Sequence, residues 1–310
     1  MIVTVTTNTT LDRTLFVPNF GLNRTIRATR TVLSMGGKPT DASFILGELG
    51  IPSLALGFAA GLTGQTAEAM LRRRGVTVDF IPVGGETRIN TVIVCEDGSG
   101  QSTITTSTLE VSPAHIAALR QRYTAALPEA TCIVIGGTVP RGFALEHYAE
   151  FISKAKVKGV PVIFDASGEA LLAGIKGRPD FIKPNREELG TLVGRPIESP
   201  EAAYDAAREV QAQYGVSCIV TLDADGALAV LSERAYRIPP LEVEVVSTAG
   251  AGDGVLAGMA AALSRGDPPE EGLRLGFAAA TAVLLTPGTA DCRRADVERF
   301  LPQIRLRPYP

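Results

Sequence analysis

The chain has 310 residues, long enough for a sizeable core and for one large or two modest domains. With 45% apolar residues, 20% charged residues and a net charge of −3, its composition is that of a globular protein with small-molecule partners and excludes the basic stripe of a nucleic-acid binder. It has two histidines, His115 and His147, both in helix-like stretches, which leaves almost no material for a His-based zinc site or a Ser-His-Asp triad.

In chain order, the β-rich run at 2–7 predicts the first strand. Residues 11–35 are rich in Thr, Val and Ile without a helical period. The stretch 41–50 predicts a helix stopped by Gly50, and 53–58 the next strand. Residues 66–75 predict a helix whose last turn carries Arg72, Arg73 and Arg74, with Gly75 after it, as the helix dipole and a C-cap favour. Residues 86–109 again lack a helical period, and Asp97-Gly98-Ser99-Gly100 marks a turn between two strand-like runs. The segments 11–35 and 86–109 read as a small extra sheet, either a lid or a plain edge hairpin.

Apolar runs at 131–137, 160–167, 180–185 and 216–222 predict buried strands, with helices around 144–158, 186–193 and 200–214 between most of them. That alternation implies right-handed βαβ units and a mainly parallel sheet covered on both faces. Ligands bind outside the carboxyl ends of such strands. Here those ends are small or polar: Gly136-Gly137-Thr138, Asp165-Ala166-Ser167, Lys183-Pro184-Asn185 and Thr221-Leu222-Asp223. The four cysteines contain no C-x-x-C pair, and Cys132 and Cys218 lie in apolar runs, so buried reduced thiols are expected. No apolar run reaches membrane-spanning length, and the N-terminus lacks the charged start and cleavage site of a signal peptide, so the expectation is a cytoplasmic protein with no membrane partner.

Residues Ser247 to Gly254 read Ser-Thr-Ala-Gly-Ala-Gly-Asp-Gly where an apolar helix begins. Backbone N–H groups at a helix start are unpaired and carry the positive end of the dipole, and glycines let an anion approach them. Gly250, Ala251 and Gly252 therefore read as an anion cradle. An acid beside a phosphate is repelled by it, but Asp253 makes sense if it takes a proton from an attacking hydroxyl while the N–H groups hold charge on a phosphoryl group. The plainer alternative is a helix-start acid paired with the dipole. Two other glycine motifs fail. A dinucleotide fingerprint needs Gly where Val255 stands, and a Walker A loop needs Ser or Thr where Pro39 follows Gly36-Gly37-Lys38.

Together, Ser-Thr-x-Gly-Ala-Gly-Asp and Lys183-Pro184-Asn185-Arg186-Glu187-Glu188 resemble the ribokinase-like sugar kinases, most closely their phosphofructokinase B branch. The resemblance runs through nearly the whole chain. The segment around Asn8 and Asp12 resembles the branch's Asn-Pro-Ala-x-Asp, with Thr9 and Thr10 departing; 87–90 resembles Thr-Arg-x-Asn; 136–142 resembles Ser-Gly-Ser-Leu-Pro-x-Gly; 165–171 follows the branch closely. The resemblance implies a three-layer α/β/α sandwich with a mainly parallel sheet and a small β-sheet lid, all in one kinase domain over 1–310, and often a homodimer contact through the lid. It implies Mg²⁺ and ATP, with the γ-phosphoryl group passed to a sugar hydroxyl. Asp253 then takes the place of the catalytic base, with Gly250, Ala251 and Gly252 as the anion hole. Asn185 and Glu188 form the Asn-x-x-Glu motif that positions Mg²⁺ and phosphates, partly through water, although by itself the pattern is that of an ordinary capped helix start. Asn8, Asp12, Gly37, Asp41 and Asn90 fall at the sugar site. Lys38, Arg88 and Arg141 are candidates to hold a phosphate already on the sugar. Thr221, Asp223 and Gly226 fall in the nucleotide loop.

The chain departs from the branch at three places. Gly36-Gly37-Lys38-Pro39-Thr40-Asp41 stands where Gly-Gly-Lys-Gly-x-Asn is usual, so Pro39 removes an N–H and Asp41 replaces an amide with a carboxylate. Asp223 stands where the nucleotide loop has Gly, and it is expected to point away from ATP phosphates. Gly254 follows the acid where Ser or Ala is usual, a change that carries little meaning in the sequence alone. The resemblance implies an ATP-dependent kinase of a sugar phosphate such as fructose 1-phosphate, fructose 6-phosphate or tagatose 6-phosphate. A kinase for an unphosphorylated sugar or nucleoside, and a non-catalytic sugar- or nucleotide-binding protein, are the alternatives.

Overall fold

The computed structural model describes residues 1–106 and 109–309. Residues 107 and 108, inside the predicted 86–109 lid segment, lie outside the described residues. The first half of the chain forms β1 (Ile2–Thr6), β2 (Thr10–Val17), β3 (Arg30–Gly36), α1 (Lys38–Glu48), β4 (Ser53–Ala59), α2 (Gly61–Arg73), β5 (Thr77–Pro82), β6 (Arg88–Cys95), β7 (Gly100–Ile104), α3 (Pro113–Ala126), β8 (Cys132–Gly136) and α4 (Glu146–Val157). The second half forms β9 (Val162–Asp165), α5 (Gly168–Gly174), β10 (Phe181–Ile182), α6 (Arg186–Val193), α7 (Pro200–Tyr214), β11 (Ser217–Thr221), β12 (Ala227–Val230), β13 (Ala235–Ile238), α8 (Ala251–Arg265), α9 (Pro269–Leu284), α10 (Arg294–Phe300) and β14 (Arg307–Tyr309).

The central sheet runs β14-β13-β12-β11-β10-β9-β8-β1-β4-β5, parallel from β5 through β11 and antiparallel beyond it. Alternate side chains of each strand leave on opposite faces. Val3, Val5, Ile133, Ile135, Val162 and Phe164 pack under α3 to α7, whereas Ile2, Cys132, Val134 and Ile163 pack under α1 and α8 to α10. A three-layer α/β/α sandwich results, because strands buried on both faces have nowhere to place polar side chains except at their ends. Cys132 and Cys218 are buried and free.

From β1 the chain winds outward through β4 and β5, then returns to place β8 on the other side of β1. The β1/β8 boundary is thus the switch point, and a crevice opens beyond the carboxyl ends of these strands. Buried hydroxyls fix its walls. Tyr148 donates to the Gly136 carbonyl at 2.8 Å and meets Thr7 Oγ1 at 2.9 Å. Thr40 donates to Thr6 at 2.5 Å, and Ser43 meets Thr4 at 2.8 Å, which pins the start of α1 onto β1.

The second sheet, in the order β3-β2-β6-β7, is separate from the first. Its root packs through Leu11 and Met35 against Phe44, Ala67 and Leu71. The parallel β2–β6 register sets Asp12 opposite Asn90 and Thr10 opposite Arg88, so one face of this small sheet looks onto the crevice.

Candidate active site

A cavity of about 260 Å³ lies between the small sheet and the strand ends, lined among others by Asn8, Asp12, Lys38, Asp41, Arg88 and Asp253. Gly37 also lines it, as the N-cap of α1 with φ 97°. Asn90 donates to Asp12 Oδ1 at 3.0 Å. Asn8 donates to Thr138 Oγ1 at 3.1 Å. Arg88 donates to Thr10 Oγ1 at 2.7 Å and to Thr138 Oγ1 at 2.9 Å, so hydroxyls rather than carboxylates hold its guanidinium. Burial raises the pKa of Asp12, against the hydrogen bond from Asn90 and the charge of Arg88.

Behind this cavity lies a buried ion network. Asp165, 1% exposed at the end of β9, receives Lys38 Nζ at 2.8 Å and Lys183 Nζ at 3.2 Å on its two oxygens. Lys38 also reaches Glu188 Oε1 at 3.3 Å. Burial alone would raise the Asp165 pKa, but the two ammonium groups outweigh it and hold the group below the usual range. Burial likewise opposes the charge of Lys38, and Asp165 and Glu188 overcome it, so its pKa is raised. Lys183 Nζ sits 3.1 Å from where a β-carbon on Gly252 would stand, so the bare glycine lets an ammonium lie against the start of α8.

Gly250 caps α8 in the left-handed conformation (φ 78°), and no side chain caps the helix. Asp253 is buried in the first turn, and its pKa is pushed up to about 7 by burial and by the charge of Asp165, against the pull of Lys183 and Lys38. Asp41, buried beside it, is raised well above the carboxylate range by burial and then by the charges of Asp253 and Asp12. Gly254 faces α9, where a β-carbon would meet Ala280 N at 2.4 Å. The residue that seemed uninformative in the sequence is therefore required by close helix packing.

On the other side of the Gly250–Asp253 turn is a cavity of about 720 Å³. Ala251, Gly252, Thr221, Asp223 and Gly226 line it, with apolar walls from Pro239, Pro240 and Phe277 among others. Asp223 was expected to turn away; it is exposed, lines this cavity and adopts φ 51° in the left-handed region. Arg186 pairs with Asp225 and so ties the start of α6 to this loop. Asn185 and Glu188 form a reciprocal capping box: Asn185 Oδ1 accepts from Glu188 N at 2.8 Å, and Glu188 Oε2 accepts from Asn185 N at 3.0 Å. Among the described residues no group of three or more His, Cys, Asp or Glu side chains gathers to hold a metal. One carboxylate and one amide do fit a hard cation that keeps most of its water.

The structure thus places Asn8, Asp12, Gly37, Lys38, Asp41, Arg88, Gly250 and Asp253 around one cavity and Thr221, Asp223, Gly226, Ala251 and Gly252 around the other. Arg141 lines neither; it is 81% exposed and its nearest acid is Glu110 at 3.9 Å. Asp165 and Lys183 were missing from the candidate residues. Their signal was present, as charged residues at the ends of otherwise apolar parallel strands.

The pfkB family carbohydrate kinase model matches residues 3–296. A 1-phosphofructokinase of Bacillus subtilis is 32% identical, with 99% of each chain covered. The ATP-dependent 6-phosphofructokinase isozyme 2 of Escherichia coli is 30% identical over 96% of this chain and 97% of its own. The crystal structure of Escherichia coli phosphofructokinase-2 in complex with substrates and products superposes with a TM-score of 0.88 at 28% identity, covering 97% of this chain and 98% of that one. Arabidopsis thaliana ribokinase, at 22% identity and a TM-score of 0.74, shares the fold. Sandwich, small sheet, strand-end site and full-length similarity agree, and the chain belongs to the pfkB family of carbohydrate kinases.

Proposed function

We propose that this protein is a one-domain kinase that transfers the γ-phosphoryl group of ATP to a hydroxyl of a ketohexose phosphate. The observation that carries this reading is the turn that divides the two cavities, with Gly250 and Asp253 on the small polar side and Ala251 and Gly252 on the larger apolar-walled side. A sugar hydroxyl and a nucleotide phosphate would meet at the start of α8. Asn8 Oδ1 and Asp41 Oδ1 are buried without hydrogen-bond partners in the wall of the small cavity, and so is Asn90 Oδ1 beside Asp12, which lines it. Sugar hydroxyls satisfy such acceptors, and an unsatisfied one costs about 1–3 kcal/mol. Arg88 has a fork suited to a phosphate, and among the described residues its side-chain partners are the hydroxyls of Thr10 and Thr138 and not a carboxylate.

In this reading the ionised Asp253 takes the proton of the attacking hydroxyl. The N–H groups at the start of α8, with Lys183 against Gly252, receive the charge of the transferring group. Asn185 and Glu188 would hold Mg²⁺ through water, and the ion when bound neutralises charge on the phosphate oxygens. One observation favours an unphosphorylated acceptor instead. Lys38 is committed to Asp165 and Glu188, which among the described residues that line the small cavity leaves Arg88 as the one other cation.

ADP release from Mg-ATP decides between them, across fructose, fructose 1-phosphate, fructose 6-phosphate, tagatose 6-phosphate, ribose and a nucleoside. Turnover confined to a hexose phosphate supports the first reading, and turnover with fructose, ribose or the nucleoside the second. Sugar binding without turnover would return the chain to the non-catalytic alternative. A cytoplasmic location goes with this reading. We also place a homodimer contact on the outer face of the small sheet. There Leu33, Arg13, Thr91 and Ile104 form one cross-strand row with Leu33 and Ile104 exposed. Light scattering that gives a monomer mass for the wild type would remove that contact.

A further inference from the structure

Asp41 stands in the first turn of α1, buried in the wall of the small cavity that the buried Asp253 also lines, and its Oδ1 has no hydrogen-bond partner. Two acids sharing one buried cavity wall do not both stay ionised, because burial and each one's charge disfavour the other's, so one of them keeps its proton and has an O–H to donate. The surroundings decide which. Asp253 has the ammonium groups of Lys183 and Lys38 near enough to favour its charge. Asp41 instead faces Asp253 from α8 and Asp12 from β2, both acids. Lys38, on the same helix, turns its ammonium to Asp165 and Glu188, and Arg88 on β6 gives its guanidinium to Thr10 and Thr138. Arg74, after α2, lies over Phe44 and pairs with Glu48 and Asp291 at the far end of α1. The strands beneath α1, namely β1, β4 and β8, carry no acid or base except the Cys132 thiol.

We propose that Asp41 is a neutral carboxylic acid whose O–H donates to Asp253 and so orients the carboxylate that accepts the substrate's proton. This rests on the reading of Asp253 as the base, through which Asp41 acts as a positioning residue. The amide usual at this position donates an N–H; a neutral acid supplies an O–H in its place. It also adds no net charge to a cavity that is to take a phosphate. The departure at position 41 therefore keeps a donor rather than losing one.

Urea unfolding of the ligand-free wild type and of Asp41→Asn, across about pH 5 to 9, tests the protonation without any substrate. The folded wild type holds a proton that the unfolded chain has lost above its ordinary carboxylate pKa. Its stability therefore falls with rising pH by a contribution that Asp41→Asn lacks. The unfolding constant of the wild type relative to the variant should rise by up to about tenfold per pH unit. Parallel curves mean an ionised Asp41 and overturn the proposal. If Asp41→Asn does not fold, ¹³C NMR of carboxyl-labelled aspartate in the wild type answers the same question. One side chain still protonated at about pH 8 supports it, and none sinks it. With an accepted sugar in hand, kcat of the wild type should decline at alkaline pH while that of Asp41→Asn does not; a decline shared by both counts against the role. A protein that turns over no sugar would defeat the kinase reading yet leave the unfolding result standing.

Discussion

Asp253 is held between opposing influences, and its behaviour follows from them. Burial and the Asp165 carboxylate raise its pKa to about 7, while Lys183 and Lys38 limit the rise. As the proposed base Asp253 works in its ionised form, so kcat/KM should climb with pH through about 7, ahead of the alkaline decline tied to Asp41. A profile flat from pH 5 upward would assign the proton transfer elsewhere. Asp253→Asn should lower kcat by about 10²–10⁴, the usual worth of a positioned general base. Near-normal turnover in that variant removes the role. Asp165 is the opposite case, a buried acid with lowered pKa. Its ionised form contributes stability at neutral pH that is lost as pH falls through the folded-state value. Asp165→Asn leaves Lys183, 8% exposed, without its anion. Chemical denaturation should show a loss of about 3–5 kcal/mol, because breaking a buried pair strands the other charge. A loss near zero would mean that water already solvates the pair.

At the scale of elements, the strands were legible because their apolar runs are continuous and bounded. The predicted 131–137 and 216–222 correspond to β8 and β11, and the predicted 186–193 helix coincides with α6. The antiparallel edge β12 to β14 was not legible: its strands are of three or four residues, too short for a period to show. The capping box at Asn185 and Glu188 was visible as a pattern, but its second neighbour, Lys38, comes from 150 positions away and needs the fold. Asp165 and Lys183 escaped for the same reason, since their pairing depends on strands β9 and β10 lying side by side. The turn after β11 carries a further consequence. Asp223 adopts φ 51°, a conformation that costs glycine least, and it is one of the residues that line the larger cavity. Asp223→Gly should lower KM for ATP by about fivefold, since one like charge at contact distance in water-like surroundings is worth about 1 kcal/mol. An unchanged or higher KM would mean that the side chain keeps clear of the phosphates.

At the scale of the molecule, the small sheet is inserted at two points of the chain and is tied to the sandwich at both its root and its far strand. Ser34, on β3, accepts from Thr289 N at 2.9 Å. Gln101, on β7, reaches across the crevice, and its Oε1 accepts from Ser247 Oγ and from Thr248 N, each at 3.3 Å. Those partners lie just before the turn that divides the cavities, so the position of the sheet and the order of the turn are mechanically joined. A cover of this kind excludes water while phosphate is in transit. Gln101→Ala cuts the tie without touching either cavity's charged groups. It should increase amide hydrogen exchange over β6 and β7 and raise ATP hydrolysis in the absence of sugar, with a smaller effect on the rate of sugar phosphorylation. Adding an accepted sugar to the wild type should slow exchange in the same strands. If sugar leaves that exchange unchanged, the sheet is a fixed edge rather than a lid, and the contact of Gln101 with Ser247 is only a packing detail.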